Sequence, residues 1–182
     1  SILLIGCLLY PAANALLAQA LQPSGQTVRT ILPSEWSVPH PAGMAFSAKY
    51  SQIHLIEKSS VKVSPLLGVD IVTITPLGYF VNTTHIDYVI ADSVNLAYAD
   101  DGDRLFLLSK DALRLAQVKS AESGALDPAT LTEFDLSALG LRQPKGMSVD
   151  AIGKYLYILD GVGPRLLRVP LLAGSGIDAT QA

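Results

Sequence analysis

The densest run of metal-ligating oxygen in this 182-residue chain is Asp100, Asp101 and Asp103, grouped around Gly102. Calcium takes about six to eight oxygens from regularly spaced loop positions, and this run lacks the further spaced ligands. Asp and Gly tolerate positive φ and bond to nearby backbone, so the segment is expected to form a hairpin turn. The histidines His40, His54 and His85 show no ligand spacing. Cys7 stands alone, which leaves no disulfide and no cysteine-based metal site. No Gly-x-Ser-x-Gly motif occurs. The glycine pairs Gly161-Val162-Gly163 and Gly174-Ser175-Gly176 lack the strand-to-helix setting that phosphate binding needs. No catalytic motif is legible, and no cofactor is expected beyond a possible Ca²⁺.

What must position these residues is a sequence that repeats three times without a gap. Residues 43–57, 95–109 and 146–160 align throughout, with offsets of 52 (43 to 95) and 51 (95 to 146). A fixed period of about 50 marks stacked supersecondary units. Each copy opens on a segment alternating large and small residues: Met44-Ala45-Phe46, Leu96-Ala97-Tyr98, Met147-Ser148-Val149. Period two is the signature of a strand. A turn follows, then a short run apolar at nearly every position: Ile53–Ile56, Leu105–Leu108, Leu156–Leu159. Such runs belong to strands covered on both faces. Here Leu107 and Ile158 are expected to be fully buried, with Met44, Leu96 and Met147 packed between neighbouring sheets. His54 takes the place of Phe106 and Tyr157, which makes it a packed aromatic substitute.

Third strands are expected at Ala112–Lys119 and Arg165–Leu171, and fourth strands at Thr130–Leu136 and Thr27–Leu32. In the first copy the third and fourth strands are poorly marked; Val69–Thr75 and Tyr79–Val81 are the pieces available. Pro41 and Pro144 both stand two residues before the repeated Gly, which carries the match into the preceding loop. Four strands recurring at close spacing describe an all-β chain of propeller-type blades, with about three blade equivalents. Closure usually takes about four to eight blades, so the expectation is a piece of a longer propeller, or a chain that needs a partner to close.

The pattern Pro-x-Gly-Met-small-(aromatic or Val), a turn, and then Tyr155-Leu-Tyr-Ile-Leu-Asp-Gly161 resembles the NHL and YVTN class of bacterial propeller repeats. Residues 27–172 carry the likeness, and 126–169 carry it best; Asn95 and Ser109 depart from it. The resemblance specifies a fold rather than an activity. It implies that loops from the fourth strand to the next first strand, and from the second to the third, gather on one face. That face would present His40, Asp92 and Lys145 from the first set of loops, and Glu57, Lys58, Lys110, Asp111 and Asp160 from the second. Glu57, Ser109 and Asp160 are equivalent positions, and their polarity can equally serve the blade's own backbone.

Two functions are therefore carried forward. One is a secreted or envelope binding module for a protein or carbohydrate ligand. The alternative is a divalent-cation-dependent hydrolase similar to the gluconolactonase or phytase-esterase propellers. In those families Glu, Asn and Asp from different blades ring a metal, and Glu57, Asn95 and Asp160 are the weak candidates here.

Composition narrows the setting. Net charge is −3 with both signs dispersed, which gives no basic footprint for nucleic acid. Only 16% of residues are charged and 49% are hydrophobic. Part of that excess lies in residues 1–20, where Ile2–Tyr10 forms a short apolar core before Pro11. Ala13-Asn14-Ala15 and Ala18-Gln19-Ala20 then supply small-x-small cleavage patterns. This segment is expected to be a signal peptide, too short to span a membrane, with residues 21–182 forming the partial propeller. Leu4-Ile5-Gly6-Cys7 also resembles a lipobox, so lipid anchoring through Cys7 is a minor alternative to a secreted, periplasmic or outer-envelope bacterial protein.

Overall fold

The computed structural model describes residues 30–57, 68–88, 94–109, 113–150, 152–173 and 176–178. The chain divides into two units, Ser1–Ile31 and Leu32–Ala182, and every strand among the described residues belongs to the second. The proposed signal segment, Cys7 and the first half of the expected strand Thr27–Leu32 lie outside the described residues, and the second half, residues 30–32, is not a strand.

Among the described residues, twelve strands form three four-stranded antiparallel sheets. The first sheet is β1 (Pro41–Ser47), β2 (Gln52–Glu57), β3 (Val69–Ile74) and β4 (Phe80–Ile86). The second is β5 (Val94–Ala99), β6 (Arg104–Ser109), β7 (Arg114–Ser120) and β8 (Leu126–Asp135). The third is β9 (Pro144–Val149), β10 (Tyr155–Asp160), β11 (Arg165–Leu172) and β12 (Gly176–Ile177). Within each sheet the strands pair in chain order, and the first strands stack, β1 on β5 and β5 on β9. This is an incomplete β-propeller of about three blades.

The repeat sets the register. Leu96 faces Leu107 and Met147 faces Ile158, as Met44 faces Leu55. A bulge interrupts β1 between Pro41 and Gly43, and β9 carries the same irregularity where Pro144 pairs with Asp160 and Gly146 with Leu159. Proline cannot donate to the ladder, so Pro-x-Gly breaks pairing at the same place twice. In the middle copy Ser93-Val94-Asn95 lacks the proline, and β5 pairs without a bulge.

Two apolar layers hold the sheets together. Between the first and second lie Ala45, Ile56, Ile71 and Ile86, with Leu96, Leu105, Leu107 and Val118. Between the second and third lie Phe106, Leu108 and Leu115, with Leu156, Ile158 and Val169. Leu107 and Ile158 are both 0% exposed, as their runs require.

Alternation gives each sheet a back face toward the preceding sheet and a front face toward the next. The large residues of the opening strands, Leu96 and Met147, point back; the small ones point forward. That geometry corrects one expectation. Met44 is not packed between sheets but 65% exposed, and Phe46 beside it is 52% exposed. Both lie on the back face of the first sheet, where no sheet among the described residues covers them.

Strand ends also moved. In β4 pairing runs on to Ile86, across the alternating Thr-Thr-His-Ile that sequence left unassigned. Likewise β8 begins at Leu126, and the ladder is irregular between Gln117 and Lys119, opposite the Pro128 that interrupts donation. The fourth strand of the last sheet is only two residues long.

Candidate binding face

Asp160 ends β10 on the back face of the third sheet, against the segment arriving from β8. Its side chain is fully buried. One carboxylate oxygen accepts the N–H of Gln143 at 2.8 Å and of Val162 at 3.4 Å; the other accepts the N–H of Arg142 at 3.2 Å. The Arg165 guanidinium donates to the same oxygen at 3.2 Å, and also to the Gly140 carbonyl. Burial would raise the Asp160 carboxyl, but the donors of Gln143, Arg142, Val162 and Arg165 outweigh it and hold the group below its ordinary value. Asp160 is thus a clamp that fixes the loop into β9.

Glu57 is the same repeat position in the first sheet, and among the described residues no such clamp forms around it. Arg142 and Gln143 correspond to Pro39 and His40, and proline has no N–H to give. Glu57 is instead half-buried and lines a cavity of about 480 Å³ on the back face of the first sheet. Glu35, Trp36, Ser37 and Val38 form one wall, with Asp70, Val72, Phe80 and Thr83 opposite. Asp70 accepts a 2.7 Å hydrogen bond from His85, whose other ring nitrogen lies 3.4 Å from Asp87. The hydrogen bond to Asp70, with the nearby Asp87 charge, raises the pKa of His85.

Sequence reasoning missed the wall at residues 33–38. Pro33–Trp36 forms a 3₁₀ turn capped by Ser37 in the left-handed region at φ 63°, and Ser137–Leu139 forms another capped by Gly140 at φ 62°. Buried Val38 and Leu141 follow, each three residues before the repeated proline. The spacing of Val38 to Pro41 and Leu141 to Pro144 was the available signal. A single apolar residue in a polar loop carries no period that would mark it.

The other proposed face residues divide. Asn95 turns toward the third sheet and donates to the Lys145 carbonyl at 3.3 Å. The Lys145 side chain is exposed and lies over Gly161, where a Cβ would meet its Cε at 2.8 Å. His40 is exposed. Lys58, Asp92, Lys110 and Asp111 lie outside the described residues. Glu57, Asn95 and Asp160 thus face three different surroundings: an open cavity, a backbone carbonyl and a filled clamp. Among the described residues no three His, Cys, Asp or Glu side chains gather to hold a metal ion.

At the opposite end of the sheets, the Asp100–Asp103 run forms a turn, with Gly102 at φ 81° and Asp103 at φ 52°. Its carboxylates reach across the joint. Asp100 accepts from the Ser47 hydroxyl at 2.7 Å and from the N–H groups of Ala48 and Lys49 at 3.2 Å each. Asp103 takes the Lys49 ammonium at 2.7 Å. Asp101 packs so close to Gly153 that a Cβ there would lie 2.7 Å from its own, and Gly153 also holds φ 65°. Within the joint His54 is fully buried, stacked on Tyr98 at 5.3 Å and bonded through Nδ1 to Thr73 Oγ1 at 3.1 Å. Burial lowers its pKa to about 4.

No protein-family model and no curated protein sequence matches the chain. Solved structures do. A chain of the nidogen/laminin complex is 19% identical with a TM-score of 0.52, over 77% of this chain and 48% of that one. A putative 6-phosphogluconolactonase from Bacteroides uniformis is 14% identical with a TM-score of 0.52, over 84% and 44%. A luciferin-regenerating enzyme is 11% identical with a TM-score of 0.52, over 74% and 43%. The chain spans less than half the length of each. At these identities the likeness is one of fold alone, and the fold it supports is the β-propeller.

Proposed function

We propose that the chain is a β-propeller binding module of a secreted or envelope protein, engaging a protein or carbohydrate through the face that carries His40 and Lys145. The observation that carries this reading is the Asp160 clamp. A carboxylate filled by three N–H groups and a guanidinium has its lone pairs committed to shaping a loop, which is structural work and not metal chemistry. The secreted or envelope setting rests on the residue pattern of positions 1–20, and the NHL/YVTN assignment rests on the repeat itself.

A glycan and protein-ligand array probed with the chain tests the reading. A hit weakened by both His40→Ala and Lys145→Glu supports it. Lactone or phosphate-ester hydrolysis that is abolished by chelator, restored by Ca²⁺ and lost in Glu57→Gln would replace it with the hydrolase alternative.

A further inference from the structure

We propose that Asp101-Gly102 is a site of spontaneous isoaspartate formation, promoted by the buried Arg104 guanidinium beside it, whereas the clamp protects the identical pair Asp160-Gly161. The sequence holds these two Asp-Gly pairs and no Asn-Gly. In such a pair the Gly amide nitrogen attacks Cγ of the preceding Asp. An N–Cγ bond forms, a carboxyl C–O bond breaks, and the amide proton leaves with the hydroxyl as water. Water then reopens the succinimide. Cleavage at Cγ returns aspartate; cleavage at the main-chain carbonyl carbon gives isoaspartate, in which the backbone runs through the side chain. One water leaves and one returns, so no co-reactant is needed. The reaction asks for a free amide nitrogen, a carboxyl that can reach its neutral form, and no Cβ to obstruct the approach.

Asp101-Gly102 meets these demands. Both residues are exposed in the turn between β5 and β6. Among the described residues no acceptor takes the Gly102 N–H, and no donor takes the Asp101 carboxylate. Arg104 adds a charge. It is 1% exposed, and it donates to the carbonyls of Leu172 at 2.9 Å and Asp101 at 3.4 Å. Its buried Nε has no partner among the described residues and lies 3.0 Å from where a Cβ of Gly102 would stand. A guanidinium so placed favours the deprotonated amide nitrogen and the oxyanion that develops at Cγ. Asp160-Gly161 meets none of the first two demands. The Gly161 N–H donates to the Gln143 carbonyl at 2.9 Å. The Asp160 carboxylate is buried and filled by the N–H groups of Arg142, Gln143 and Val162 and by Arg165, which hold it ionised. Isomerisation at Asp101 inserts a methylene between Asp100 and Asp103, whose carboxylates hold Ser47, Ala48 and Lys49. The polar lock between the first and second sheets is therefore what the reaction loosens.

Incubation of the folded chain at neutral pH and physiological temperature tests this, with peptide mapping by a fragmentation method that separates isoaspartate from aspartate. Isoaspartate should accumulate at Asp101 at least about tenfold faster than at Asp160, since each hydrogen bond that must be broken at the clamp costs about 1 kcal/mol. In urea the two pairs should react alike, because unfolding removes the clamp. Arg104→Gln copies Gln52, the same repeat position in the first sheet, and should slow the Asp101 reaction in a chain with the parent's circular dichroism. Aged parent chain should exchange faster at the Ala48 and Lys49 N–H groups. Asp101→Glu aged in the same way should not, because closure through Glu needs a larger ring. Equal rates at Asp101 and Asp160 in the folded chain overturn the proposal, as does isoaspartate that forms at Asp101 only in urea. A rate unchanged by Arg104→Gln overturns the role given to the guanidinium.

Discussion

The two joints of this molecule obey one alternation rule and are locked by different chemistry. Between the first and second sheets the lock is polar: Asp100 holds the β1–β2 turn, Lys49 pairs with Asp103, and His54 stacks on Tyr98. Between the second and third, Phe106 replaces the histidine, and Leu139 and Leu141 seal one end. There the polar contacts run to backbone carbonyls: Asn95 to Lys145 and Arg104 to Leu172. A repeat thus needs the same shape at each joint but not the same interactions. The joint containing a buried imidazole inherits a dependence on pH between about 4 and 6.5, whereas the Asp160 carboxylate of its neighbour comes into play only at lower pH.

The apolar layers should fail alike. Leu107→Ala opens the first joint and Ile158→Ala the second, and each should cost about 2–5 kcal/mol in urea unfolding because a cavity is left between packed sheets. A loss below about 1 kcal/mol at one site alone would show that joint to be the more compliant.

His54 separates the joints next. Its folded pKa of about 4 lies below the unfolded value of 6.5, so the native chain favours the neutral ring. Above pH 6.5 stability is at its plateau. As pH falls toward 4 the unfolded chain takes up the proton first, and about 3 kcal/mol is lost. His54→Phe, which copies the residue of the second joint, should flatten the pH profile across that window. An unaltered slope would place the titration elsewhere.

Asp100→Ala is expected to have the smallest effect of the three, about 1 kcal/mol, since the freed N–H groups of Ala48 and Lys49 lie at the surface and water can replace the carboxylate. Hydrogen exchange should quicken at Ala48 and Lys49 while Gln143 stays protected by Asp160. Equal acceleration at both ends would mean that the two sheet ends are coupled.

Sequence alone determined the repeat, the strand pairs within each copy and the burial of Leu107 and Ile158. These follow from alternation and turn residues, which act over a few neighbouring positions. The turn at Asp100–Asp103 was legible for the same reason, whereas Pro41 and Pro144, expected in the preceding loop, open their strands at a bulge. Only the tertiary structure decided which face of each sheet is covered, because period two assigns residues to faces without saying what lies against them. Met44 and Met147 share one sequence position, yet among the described residues a preceding sheet stands behind Met147 alone. Likewise Glu57 and Asp160 differ by one methylene, but in the first copy Pro39, which has no N–H, stands where Arg142 donates to Asp160. The cavity beneath Trp36 joins residues from three strands and a 3₁₀ turn, a meeting that only the packed fold brings about.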